Sequence, residues 1–164
     1  MYEQDTICAL STPPGVGAIA VLRLSGPEAL AITRRCSALS KNIAARTAYF
    51  SKLRDEEGEI DEGLITWFKG PASYTGEDVV EIGIHGSPYV QQRLLSALIT
   101  HGARSAKPGE FTLRAFLNRK LDLSQSEAVA DLISSQSAAA HKLALQQLRG
   151  GYSDRIEALR QQLI

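Results

Sequence analysis

Val79-Val80-Glu81-Ile82-Gly83-Ile84-His85-Gly86-Ser87-Pro88-Tyr89-Val90 is the stretch on which the fold class turns. Its first six residues form a short β-branched run closed by Gly86, and they predict a strand. Ser87-Pro88 opens a helix, since proline is well tolerated at a first helical position. The stripe Val90, Leu94, Ala97 and Leu98 carries that helix to Gly102, which ends it. Upstream, residues 6–11 are a short apolar strand stopped by Pro13-Pro14-Gly15. Residues 18–24 form another, with Ile19, Val21 and Arg23 on one face and Ala20, Leu22 and Leu24 on the other. Gly26-Pro27 starts a helix reaching about Leu39. Residues 47–53 and 63–68 are strands on either side of the acidic turn Asp55-Glu56-Glu57-Gly58. Strands mixed with helices as far as Gly102 predict an α/β (α+β) domain built on a mixed sheet.

After Pro108-Gly109 the pattern becomes helical. Residues 110–119 predict one helix, Leu121-Asp122-Leu123 a connector, and Ser124-Gln125-Ser126-Glu127 a capping box opening a very long helical stretch. Leu145, Leu148, Tyr152, Ile156, Leu159 and Leu163 keep helical spacing through Gly150-Gly151. Two adjacent glycines cost a helix about 2 kcal/mol relative to alanines. The unbroken phase nonetheless favours one continuous or slightly bent helix over a hairpin. The expected domain boundary lies near Leu117 to Leu121, giving domains 1–118 and 119–164.

Composition narrows the function classes. Of 164 residues, 44% are hydrophobic and 22% charged, as in ordinary globular proteins. Eighteen basic residues balance eighteen acidic ones, so no global charge draws the chain to nucleic acid. Cys8 and Cys36 lack CxxC spacing and are expected as buried free thiols. The first six residues show no secretory apolar core, and no apolar run approaches ~18 residues. A cytoplasmic protein without membrane attachment is expected.

Several motifs are set aside on their context. Gly15-Val16-Gly17-Ala18-Ile19-Ala20 satisfies G-x-G-x-x-A, but a dinucleotide fold needs that turn to open a helix. A β-patterned run follows instead, so a tight turn between strands is expected. No G-x-x-x-x-G-K-[ST] occurs, which excludes a P-loop in these residues. His85, His101 and His141 are scattered, and no metal site is expected. His101 suits a helix C-terminus, where a cation favours the dipole. His85 ends a strand beside Gly86, a place from which it could line a ligand.

Three charged residues remain. Glu81 shares a strand face with Val79 and Gly83, and it is either a carboxylate on a solvated sheet or an acceptor beside a side-chain-sized gap. In the second case it could pair with the amidine-like edge of a pterin through charge-assisted bonds. Arg23 interrupts an apolar strand near its end, either as a solvated edge residue or as a fork for a ligand carboxylate or carbonyl. Lys120 follows a helix and either complements its dipole or reaches a ligand. Spacing alone does not bring the three together.

The strings Thr12-Pro13-Pro14-Gly15, Leu22-Arg23-Leu24-Ser25-Gly26 and Ser73-Tyr74-Thr75-Gly76-Glu77-Asp78 occur in order with Glu81 and His85-Gly86. Lys107-Pro108-Gly109-Glu110-Phe111-Thr112, Arg114-Ala115-Phe116-Leu117-Asn118, Lys120-Leu121-Asp122-Leu123 and Glu127-Ala128-Val129-Ala130-Asp131-Leu132-Ile133 follow. In these the chain resembles the MnmE (TrmE) family of tRNA-modifying GTPases along essentially its whole length. Ser87 and Lys107 depart from the family's usual glycine and arginine, and Arg119 stands at a variable position. The resemblance implies a folate-binding domain like that of glycine-cleavage aminomethyltransferases, followed by the start of a helical domain. It implies that Arg23, Glu81 and Lys120 contact 5-formyl- or 5,10-methylene-tetrahydrofolate, the source of a one-carbon unit, and that the domain forms a homodimer. It further implies work with the FAD-containing partner MnmG (GidA) on C5 of wobble uridine in tRNA. A magnesium-dependent, potassium-stimulated GTPase domain and a cysteine-bearing motif would follow Ile164. No catalytic residue is expected in this segment. Two other readings stay open: a stand-alone folate-dependent one-carbon transferase, and a dimerisation or RNA-docking scaffold with a vestigial pocket.

Overall fold

The computed structural model describes residues 5–150 and residue 161. The chain forms two compact units, Met1–Phe111 and Thr112–Ile164. The first is a mixed α/β domain. Its strands are β1 (Ile7–Leu10), β2 (Ile19–Ser25), β3 (Ala48–Asp55), β4 (Gly58–Phe68), β5 (Val79–His85) and β6 (Arg104–Ser105). Its helices are α1 (Ala29–Arg35) and α2 (Pro88–Thr100). The sheet runs β3-β4-β5-β2-β1-β6, antiparallel throughout except for the parallel pair β1 and β6.

Strand alternation decides which face is covered. Ala20, Leu22 and Leu24 of β2 and Val80, Ile82 and Ile84 of β5 are buried in one core with Ile32 of α1 and Leu94 and Leu98 of α2. The opposite face carries the odd-numbered residues of both strands. β2 and β5 pair in a register that sets Val21 against Gly83 and Arg23 against Glu81. Thr66 of β4 lies on the other side of Glu81.

Two boundaries and one strand differ from expectation in this unit, each for a physical reason. α1 ends at Arg35 rather than near Leu39, because the chain turns to cover the β3 edge. There the Arg54 amide donates to the Cys36 carbonyl at 2.8 Å and the Ala38 amide to the Lys52 carbonyl at 2.9 Å. β4 begins at Gly58, five residues before the expected start, since the acidic turn is a tight hairpin. The Asp55 carboxylate accepts from the Glu57 and Gly58 amides at 2.9 and 3.1 Å, and Gly58 has φ +126°. The two-residue β6 has too little pattern to be seen in sequence.

α3 (Glu110–Leu117) leads into the second unit, where α4 (Leu123–Ser134) and α5 (Ala138–Leu148) pack together. The expected capping box at Ser124 is displaced by two residues. Asp122 accepts from the Gln125 amide at 2.8 Å, and Gln125 Oε1 accepts from the Asp122 amide at 2.9 Å. Nor is the helical stretch unbroken. Ser137 caps a new helix by accepting from the Ala140 amide at 3.1 Å, and α5 stops at Leu148 ahead of Gly150 with φ +84°. Gln125 Nε2 donates to the Leu148 carbonyl at 3.0 Å, satisfying one of the orphan acceptors at the α5 C-terminus. Gly151, Tyr152, Ile156, Leu159 and Leu163 lie outside the described residues, as does most of the stripe they complete. No helix of the described residues is long and apolar enough to cross a membrane.

Candidate functional site

The register of β2 on β5 makes Arg23 and Glu81 cross-strand neighbours on the face away from α1 and α2. Arg23 Nε and Nη2 both donate to Glu81 Oε1, at 3.0 and 2.7 Å. The two side chains remain 26% and 33% exposed. Because both bonds fall on one carboxylate oxygen, Glu81 Oε2 and Arg23 Nη1 have no hydrogen-bond partner among the described residues. The sheet face therefore presents an acceptor and a donor side by side. At that separation a half-exposed ion pair contributes at most about 1 kcal/mol to folding, so its stability value alone does not explain it.

Two aromatic rings lie close to the guanidinium. The Arg23 guanidinium carbon lies 5.4 Å from the Tyr74 ring centroid and 5.7 Å from that of Phe111, within cation–π range. Tyr74 comes from the loop joining β4 to β5, and Phe111 from the start of α3. Neither ring was singled out from sequence, although both lie inside quoted motifs. A lone arginine and a lone glutamate on apolar strands were the available signal, and only the register joins them.

Gly83 lies one step along the same face from Glu81. A Cβ placed there would meet only the Leu64 carbonyl oxygen, at 3.8 Å, so the expected notch beside Glu81 is open. At the other end of β5, His85 is clamped by Asp61 of β4. Asp61 Oδ2 accepts from the His85 amide at 2.9 Å, and Oδ1 lies 2.8 Å from His85 Nδ1. Burial pushes the Asp61 carboxyl up, but the His85 amide and ring and the Glu62 amide outweigh it and hold it below the usual carboxylate range. Gly15 has φ +128°, and the following turn leads into β2 with no helix. The Gly17 backbone lies so close to Gly86 that no side chain fits on Gly86, and the Gly17 amide donates to the Gly86 carbonyl at 3.0 Å.

Lys120 belongs to the second unit. It sits in the exposed turn after α3, where its amide donates to the Ala115 carbonyl at 2.8 Å. It lines a recess of about 560 Å³ together with Phe116, Arg119, Leu121 and Gln125. The structure thus joins Arg23 to Glu81 directly and describes Lys120 within its own unit. Among the described residues no cluster of side chains could hold a metal ion.

A family model described as GTP-binding protein TrmE N-terminus matches residues 6–120. The chain belongs to the TrmE N-terminal family. Its relatives include a tRNA modification GTPase MnmE of Cytophaga hutchinsonii, 58% identical over 98% of this chain and 35% of the relative. Another, of Christiangramia forsetii and bearing the same name, is 53% identical over 100% of this chain and 36% of its own length. A third, of Flavobacterium johnsoniae, is 52% identical with the same coverage. The chain thus spans about a third of the length of these relatives. The TrmE N-terminal match takes in Arg23, Glu81, Tyr74, Phe111 and Lys120 alike.

Proposed function

We propose that this chain is the tetrahydrofolate-binding, dimerising module of a tRNA modification GTPase, acting with an FAD-containing partner on C5 of wobble uridine. The observation that carries the folate reading is the Arg23–Glu81 pair with the Tyr74 and Phe111 rings beside its guanidinium, and with Oε2 and Nη1 unengaged among the described residues. A pterin fits that chemistry: its 2-amino and N3 edge offers donors to Glu81, and its ring carbonyl an acceptor to Arg23. The open notch at Gly83 supplies room beside the carboxylate. Lys120, in the connector after α3, is the third proposed contact. When bound, a 5-formyl- or 5,10-methylene-tetrahydrofolate supplies the one-carbon unit, and the residues named here hold and orient it. The dimerising part is supported by an exposed apolar strip, Phe50, Leu64 and Ile19, on the same sheet face. The tRNA substrate, the partner MnmG, and the use of GTP with potassium and magnesium in a longer protein are proposed on the family resemblance alone.

Calorimetric titration of 5-formyltetrahydrofolate tests the reading. Glu81→Gln replaces an acceptor with a donor at one oxygen and is expected to weaken binding by about 2 kcal/mol or more. Unchanged affinity would remove Glu81 from the site, and no binding by the native chain would remove the folate reading itself.

A further inference from the structure

Behind Tyr74 lies a polar network that none of the proposed ligand contacts requires. Ser25 and Thr75 are fully buried. Ser25 Oγ donates to Glu77 Oε2 at 2.6 Å and lies 2.7 Å from Thr75 Oγ1. With the serine proton committed to the carboxylate, the threonine hydroxyl is the donor to Ser25. Thr75 Oγ1 in turn accepts from the Glu77 amide at 3.2 Å, and Ser73 Oγ donates to the Glu77 carbonyl at 2.5 Å. The loop is thereby tied to β2 two residues beyond Arg23, on the strand face that Arg23 occupies. Tyr74 sits between two of the tied residues, Ser73 and Thr75. Buried hydroxyls cost stability unless they are hydrogen-bonded, and both of these are. Hydrogen bonds fix distance and direction, and a satisfied buried network of them rigidifies what it joins.

We infer that Ser25, Thr75 and Glu77 are positioning residues that hold the Tyr74 ring beside the Arg23 guanidinium and so set how tightly the site grips a flat ligand. The consequence for affinity rests on the folate reading above, whereas the placement of the ring does not. Two measurements therefore separate them. In the ligand-free protein, the NMR resonance of the Arg23 Nε proton reports the nearby rings. It is expected to shift in Ser25→Ala and in Thr75→Val and to stay put in Thr75→Ser, which keeps the hydroxyl. In calorimetry with 5-formyltetrahydrofolate, Ser25→Ala is expected to raise Kd about five-fold, the worth of one net hydrogen bond. On a Tyr74→Ala background the same substitution is expected to change Kd by less than about two-fold, because it acts through the ring. A loss of melting temperature alone moves neither readout. If Ser25→Ala does not fold, Thr75→Val carries both comparisons. An unmoved Arg23 resonance, or an equal loss of affinity on both backgrounds, overturns the inference. A native chain that binds no folate overturns the affinity claim together with the folate reading, and the Arg23 resonance still decides the positioning.

Discussion

Two glycines on neighbouring strands separate a packing requirement from a site requirement. A Cβ at Gly63 would collide with the Gly83 backbone and press on Leu53 and Ile84 at 3.2 and 3.3 Å. Gly63→Ala is therefore expected to lower the melting temperature markedly. A Cβ at Gly83 meets one oxygen at ordinary contact distance, so Gly83→Ala should leave stability unchanged or slightly raised. The same methyl narrows the notch beside Glu81 and is expected to weaken folate binding. Equal melting curves with equal affinities would show that the notch is not used. The cysteines give a second expectation at this scale. Burial pushes both thiols up to about 11, with Asp55 adding to the effect at Cys36 and Arg35 opposing it. The folded state thus favours the neutral thiols. Their contribution to stability is whole below the ordinary value of 9.0 and is lost as pH rises through about 11. Melting temperature is expected to fall across that window, and iodoacetamide at pH 8 to label neither cysteine until the protein is unfolded. Much at this scale was legible in the sequence: the buried free cysteines and the opposite faces of β2 were read from alternation and spacing alone. Tyr74 and Phe111 were not, because nothing local in a loop or a helix start says which charge a ring will stand beside.

At the scale of elements, the start of α4 shows where local sequence rules become degenerate. Asp122 with Gln125 and Ser124 with Glu127 fit the same capping pattern, two residues apart. The chain selects the first, after a turn in which Arg119 takes φ +58°. Asp122→Ala should cost about 1 kcal/mol of stability in the second unit, whereas Ser124→Ala, inside the first turn, should cost less than about 0.5 kcal/mol. Amide exchange along α4 would distinguish them, and the reverse order would return the cap to Ser124. β2, β5 and α2 were legible because each carries its own period over six or more residues. α1 is shorter than its sequence suggests for the opposite reason. Residues 36–38 have nothing against helix in themselves, but the β3 edge takes their backbone groups. Side-chain phase runs on past Gly150, but the backbone there takes φ +84° and ends α5.

At the scale of the whole molecule, sheet order creates the candidate site. β2 joins β5 although 53 residues separate the end of one from the start of the other, and Arg23 meets Glu81 only because of that pairing. No periodicity encodes it; the family resemblance alone set Arg23 and Glu81 in one site, and the direct bond between them was not anticipated. The same scale fixes a last expectation. Relatives about three times as long are named GTPases, and the chain matches about a third of each. GTP hydrolysis by such enzymes needs backbone amides that cradle the phosphates and a lysine that reaches them. The sequence contains no G-x-x-x-x-G-K-[ST], and its glycine-rich Gly15-Val16-Gly17 leads into a strand instead of the helix N-terminus that would meet a phosphate. The purified 164-residue chain is therefore expected to release no phosphate from GTP above the buffer rate, with or without magnesium and potassium. Circular dichroism and a cooperative melt on the same preparation show that the protein is folded, so an inactive sample is not mistaken for agreement. Magnesium-dependent turnover that co-purifies with the chain and survives further chromatography would place a nucleotide site within these residues and overturn this expectation.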